Sequence, residues 1–212
     1  MQNIVEDSKK LLSDICEEYK ENDKEIMQGV EGERLHALDV LGWVEKLNPN
    51  ASIELKIAAI FHDIDRVVTP KAGGGFKGSR DSKKYEEHKK MHAKRSADFI
   101  IPRLKKIIKN DKLLEEVYIL IIHHDDTGAE VEGFENMDLN YIVAADSFAF
   151  FTSIAPKLYE SEGEERIKGK IRFMVEKMPE FARAKLREHK LQNEIFDGLK
   201  NEIIEEYYGS RK

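Results

Sequence analysis

The run Ile57-Ala58-Ala59-Ile60-Phe61 is apolar on nearly every side of a helix, and it ends on His62-Asp63. A helix of that kind has no face to give to water, so it belongs in the middle of a bundle. Ser52 stands where an N-cap is needed, which sets the helix over Ile53–Asp63. The polar pair at its end then lies at the edge of the core, where burial without partners is costly. One short segment therefore demands other helices around it and a chemical reason for His62 and Asp63.

Helical periodicity supplies the neighbours. Asn3–Lys20 places Ile4, Leu11, Leu12, Ile15 and Tyr19 on one side, with Cys16 expected as a small buried apolar residue. A second helix is predicted from about Glu31 to Leu47, stopping before Asn48-Pro49-Asn50. The stretch Val67–Ser82 holds Pro70 and Gly73-Gly74-Gly75 and reads as a long loop, the kind that often binds or covers a ligand. Helical pattern resumes over Lys83–Asn110, with Pro102 expected to kink or divide it. It continues over Leu113–His124 and, after a turn at Thr127–Phe134, over the strongly apolar Leu139–Ile154, which encloses Asp146. Leu158 to Tyr208 reads as one or two long amphipathic helices broken near Met178-Pro179. No repeat and no strand pattern interrupts this, so the expected fold is all-α, a single helical-bundle domain over 1–212. Its metal-binding core is expected at about 30–155, with a C-terminal helical extension at about 156–212.

Composition narrows the class of function. The 212 residues are 41% hydrophobic and 36% charged, with 41 acids against 35 Lys and Arg for a net charge of −6. Such a chain folds rather than staying disordered, and its acidic balance argues against a broad nucleic-acid footprint. One cysteine excludes an intramolecular disulfide and a Cys-based zinc cluster. No run approaches the ~18–20 apolar residues that cross a bilayer, and MQNIVEDSKK lacks the apolar core of a signal peptide. A cytoplasmic protein is expected, with no membrane association.

The histidines carry the chemistry. Six of seven (His36, His62, His88, His92, His123 and His124) fall at helix ends or on helix faces bordering apolar runs; His189 sits among charges and is expected to be solvated. Asp146 is flanked by Val143-Ala144-Ala145 and Phe148-Ala149-Phe150, so it must be paired or bind metal. Imidazole and carboxylate are the ligand types that suit Fe, Mn, Co, Ni and Zn where thiolates are absent. Two such ions ~3.5–4 Å apart can share a hydroxide and polarise a phosphoryl oxygen.

The order His36, then Phe61-His62-Asp63-Ile64, then Ala144-Ala145-Asp146 resembles the H…HD…D signature of the HD superfamily of metal-dependent phosphohydrolases. His92-Ala93-Lys94-Arg95-Ser96-Ala97 is similar to the H-x-x-x-G/S-A element of its dinuclear members, and Ile121-Ile122-His123-His124 to the histidine-bearing helix end that follows. The resemblance covers roughly residues 30 to 155. It implies two divalent ions, Fe or Mn first and Co, Ni or Zn as alternatives. His36, His62, Asp63 and Asp146 would hold one, and Asp63 would bridge to a second held by His92 and by His123 or His124. His123-His124-Asp125-Asp126-Thr127-Gly128 departs from the continuation found in cyclic-di-GMP phosphodiesterases, so that substrate is not supported.

Around the expected ligands, Arg66 is a candidate catalytic side chain that would clamp a phosphate, or else the salt-bridge partner of Asp65. Lys77 and Arg80, with Lys71, Lys83 and Lys84, give the glycine loop a positive field suited to an anionic substrate. His88 lies one turn before His92 and either faces substrate or the surface. Asp125 and Asp126 would orient ligand histidines or begin a turn. Glu33 and His36 form one Glu-x-x-His, but a ferritin-like di-iron bundle needs a second copy. The resemblance thus implies hydrolysis of a small phosphorylated substrate such as a nucleotide. The same ligands also serve di-iron oxygenases that cleave C–C or C–P bonds, and a non-catalytic sensor is a third class. The C-terminal helices, with Ile171, Phe173, Met174, Phe181 and Leu186, would pack on the domain or form a homodimer face.

Overall fold

The computed structural model describes residues 3–20, 24–69 and 83–209, and among them all regular structure is helical. The chain divides into two compact units, 1–125 and 126–212. The expected core of about 30–155 runs across that division, with His36 through His124 in the first unit and Asp146 in the second. Among the described residues no helix is long and apolar enough to cross a membrane.

In the first unit α1 (Ile4–Glu18) starts at Asn3, whose side chain accepts from the Glu6 N–H, and buries Leu12, Ile15 and Cys16. Its neighbour α2 spans Lys24–Leu47, a longer element than the expected start at Glu31. The central helix is α3 (Ile53–Phe61), capped by Ser52 Oγ, which accepts from Leu55 N at 3.0 Å. Leu55 and Ile57 through Phe61 are all buried, as a helix without a polar face requires. It packs against α1, α2, α5 (Lys83–Leu104) and α6 (Asp111–Ile122). The helix ends two residues earlier than expected. Asp63, at φ −107° and ψ 17°, leaves helical geometry and opens the short α4 (Ile64–Val68). Pro102 lies inside α5, which ends two residues later at Leu104, short of the expected Asn110.

The second unit opens with α7 (Gly128–Val131), a short helix where a turn was expected. Thr127 and Glu130 close a capping box around it. The next helix, α8 (Met137–Ala149), is buried along almost its whole length and continues as a π-helical turn over Phe150–Ile154. The remainder forms four helices rather than the expected one or two: α9 (Ala155–Glu162), α10 (Glu164–Lys177), α11 (Glu180–Glu188) and α12 (Glu194–Gly209). Gly163 separates α9 from α10 at φ +81°, a conformation that glycine adopts without steric cost. Met178, held extended at ψ 143° by the proline after it, supplies the expected break. His189 is half-buried rather than solvated; it caps α11, and its ring meets Phe148 edge-on at 6.1 Å.

Candidate metal centre

Three imidazoles of the first unit gather around one carboxylate, and a fourth lies beside them. His36 comes from α2, His62 from the end of α3, His92 from α5 and His124 from just beyond α6, and all are buried. Their rings form a chain, with centroids 5.4 Å apart for His36 and His62, 5.0 Å for His62 and His124, and 5.7 Å for His92 and His124. Asp63 lies among them. Its Oδ1 is 2.5 Å from His92 Nε2 and 3.2 Å from His124 Nε2, and its Oδ2 is 3.7 Å from His62 Nε2. Asp63, His92 and His124 offer ligand atoms that all lie within 4.8 Å of one another, a buried group that could hold a metal ion.

Helix geometry determines which nitrogen each ring presents. His62 Nδ1 donates to the Ala59 carbonyl at 2.9 Å, and His124 Nδ1 donates to the Ile121 carbonyl at 2.7 Å. Both carbonyls stand one turn back, where a residue at a helix end can reach them. With Nδ1 donating, the neutral ring carries its lone pair on Nε2, the atom turned toward Asp63. These tautomers suit a metal ligand.

His92 is held differently, between two carboxylates. Nε2 faces Asp63, while Nδ1 donates to Asp65 Oδ2 at 3.0 Å. Burial pushes this imidazole's pKa down, but Asp63 and Asp65 outweigh that and raise it to about 9. Burial likewise pushes Asp63 up, and Arg66, His62, His92 and His124 more than reverse it, holding the carboxyl well below the usual range. Asp65 is also depressed: the hydrogen bonds from His92, Arg95 and Thr69 outweigh its desolvation.

The placement of the expected residues is uneven. His124, not His123, joins Asp63; His123 is half-buried and lies outside the converging His/Asp groups of the described residues. Arg66 Nη1 stands 3.0 Å from Asp63 Oδ2, and Asp65, weighed as its partner, is clasped by Arg95. The second nitrogen of His124 goes to a backbone carbonyl rather than to Asp125 or Asp126. His88 is half-buried; burial pushes its pKa down, with His92, Arg95 and Arg66 adding to this against Asp125. Asp146 is on α8 in the second unit, where Lys177 Nζ donates to its Oδ2 at 2.7 Å. Lys77 and Arg80, with Lys71, lie outside the described residues.

Three participants were not assigned roles from the sequence. Arg95 and Ser96 follow His92 by three and four positions, so all three share a face of α5, and that spacing was the available signal. Glu33 was set aside with the ferritin-like pattern. Burial pushes its carboxyl up, Arg66 opposes this, and Asp63 reinforces it.

A family model described as "Domain of unknown function (DUF4202)" matches residues 12–197, and the chain belongs to that family. Neither a curated protein nor a solved structure matches it.

Proposed function

We propose that this chain is a metal-dependent phosphohydrolase of the HD type, acting in the cytoplasm on a nucleotide or another small phosphorylated metabolite. The observation that carries the reading is the convergence of Asp63, His92 and His124 within 4.8 Å, with His62 and His124 held in the tautomer that turns Nε2 toward the carboxylate. Two ions are expected, Fe or Mn first; Asp63, His92 and His124 would hold one, and His36 and His62 would be the first unit's ligands to the other. When bound, such ions lower the pKa of water toward neutrality and polarise a phosphoryl oxygen.

The protein's own side chains do the rest. Asp63 is ionised throughout the neutral range, so its charge is always available to a cation. Arg66 is about a third exposed while its guanidinium reaches Asp63, which places a fixed positive charge between solvent and the buried ligands. That position suits holding a phosphate's equatorial oxygens. His88 on α5, whose pKa is lowered, is neutral near pH 7 and offers a hydrogen bond rather than a charge.

Phosphate release by Mn- or Fe-loaded protein across a panel of nucleotides and phosphorylated metabolites tests the reading. Release is expected from wild type and absent in Asp63→Ala. An Asp63→Ala protein that keeps its activity overturns the assignment. Iron-dependent oxygen uptake without phosphate release replaces it with an oxygenase.

A further inference from the structure

Asp65 is a carboxylate with nearly its whole hydrogen-bonding capacity committed. It lies on α4 at 1% exposure, two positions beyond Asp63. Oδ1 accepts from Arg95 Nε at 2.8 Å and from Thr69 Oγ1 at 2.9 Å; Oδ2 accepts from Arg95 Nη2 at 2.7 Å and from His92 Nδ1 at 3.0 Å. Its own N–H donates to Ser96 Oγ at 3.1 Å. Taking a carboxylate out of water costs several kcal/mol, and a parallel two-pronged bond from arginine is the geometry that best offsets it. A pair needed only to join α4 to α5 would be cheaper at the surface. The burial of this one brings it to Thr69 Oγ1, one turn on in the chain, and to one atom of a distant residue, His92 Nδ1.

We infer that Asp65, clamped by the Arg95 fork and the Ser96 hydroxyl, is a positioning residue that fixes the His92 ring with Nε2 directed at Asp63 and available as a ligand. The inference rests on the metal centre proposed above and concerns how one of its ligands is set. His62 and His124 take their tautomer from a carbonyl of their own helix, which the backbone supplies without design. His92 lies in the middle of α5, where carbonyls one turn back are already bonded within the helix. A side chain from another element must do the work, and Asp65 is the one in place. Arg95 and Ser96 share the His92 face of α5, so the same face that carries the ligand also carries the groups that hold its orienter.

Asp65→Asn makes the inference testable, because Asn is nearly isosteric yet gives up one acceptor. Arg95 donates to both carboxylate oxygens, so either seating of the amide sets the NH2 against an arginine N–H. The two-pronged bond that holds the side chain is broken, and the acceptor facing His92 Nδ1 is no longer fixed.

The experiment is titration of metal-stripped full-length protein with Mn(II), following free Mn(II) by EPR, with ¹⁵N shifts of the metal-free protein at alkaline pH reporting the His92 tautomer. Wild type is expected to bind two equivalents and His92→Ala one. Asp65→Asn is expected to weaken the equivalent that His92→Ala removes by roughly 10–100-fold, to leave the other unchanged, and to lose the single Nδ1–H tautomer. Arg95→Lys, at a partly exposed position, keeps the charge but loses the fork; it should weaken the same equivalent by a smaller factor and covers the case in which Asp65→Asn does not fold. Wild-type Mn(II) binding in both Asp65→Asn and Arg95→Lys, or equal weakening of both equivalents, overturns the positioning role alone. Wild-type protein that takes up no Mn(II) overturns it together with the metal centre.

Discussion

Two aspartates are buried against apolar sequence in this protein, and within its own unit each meets a different kind of partner. Asp63, in the first unit, faces the Nε2 atoms of His62, His92 and His124 and the guanidinium of Arg66. Asp146, within its own unit, is answered by the ammonium of Lys177, itself buried on α10. Both arrangements lessen the cost of burying a carboxylate. An ammonium does so as a donor without a lone pair, so it can balance charge but adds no ligand. An imidazole can balance charge when protonated and turn ligand when it is not. A buried acid therefore does not by itself say which kind of partner answers it.

The largest effect expected from this contrast is at Asp63. Asp63→Ala removes the carboxylate that His62, His92 and His124 face, so phosphate release should fall to background and Mn(II) uptake should collapse. Retained uptake breaks the contrast at its stronger end. At Asp146 the effect should first be one of stability. Asp146→Asn leaves Lys177 buried without its charge partner, a change expected to cost about 3–5 kcal/mol, read as the urea midpoint of metal-free protein. The double variant Asp146→Leu with Lys177→Met should recover most of that loss. A stable Asp146→Asn protein that has lost one Mn(II) equivalent would erase the contrast and give Asp146 the ligand role that the HD pattern implies.

Proton linkage sharpens the comparison further. In metal-stripped protein His92 keeps its proton to about pH 9 against an ordinary 6.5, so the stability it lends is complete below pH 6.5 and is lost as pH rises through 9. Asp65 has a depressed value, so its contribution is present above the ordinary 3.8 and is lost as pH falls through the depressed range. The metal-free chain should be most stable between those ordinary values and lose a few kcal/mol by pH 9. In His92→Gln the alkaline decline should be largely gone. A wild-type midpoint that stays flat from pH 6.5 to 9 would show that the two carboxylates do not hold the imidazole charged.

Much of the scaffold was legible because it rests on local rules. The apolar Ile57–Phe61 run, the Ser52 cap and the Met178-Pro179 break each follow from a few adjacent residues, and each is found. The burial of His36, His62, Asp63, His92, His124 and Asp146 was also legible, because a polar side chain beside an apolar helix face carries a cost that needs a reason. Adjacent residues at a helix end point about 100° apart, so which of His123 and His124 turns inward depended on the docking of α6. The Asp65–Arg95 clasp joins residues 30 positions apart, beyond the reach of any periodicity. Short α7 was missed although Thr127 and Glu130 spell its capping box, because four residues leave no pattern to count. Gly163 was read through because one glycine in an amphipathic run is usually tolerated, at about 1 kcal/mol.

The smallest expected effect separates the two aspartates by structure alone. Gly128 opens α7, and a Cβ built there would stand 2.5 Å from the Met178 carbonyl carbon and 2.6 Å from Pro179 N. Both atoms are backbone, so neither can swing aside as a flexible side chain would. The same corner is tied by Glu132, whose Oε1 accepts from Glu180 N at 2.6 Å, and Met178 directly follows Lys177. Gly128→Ala must therefore move the end of α10, and with it the lysine that answers Asp146. Overpacking of this kind costs about 1–3 kcal/mol, and it should appear as a lower urea midpoint together with faster hydrogen exchange in α10 and α11. The Mn(II) equivalent that depends on His92 should keep its affinity, since its ligands and their orienting partners all lie in the first unit. Loss of that equivalent in Gly128→Ala would mean that strain in the second unit reaches Asp63, and that the two carboxylates are not independent.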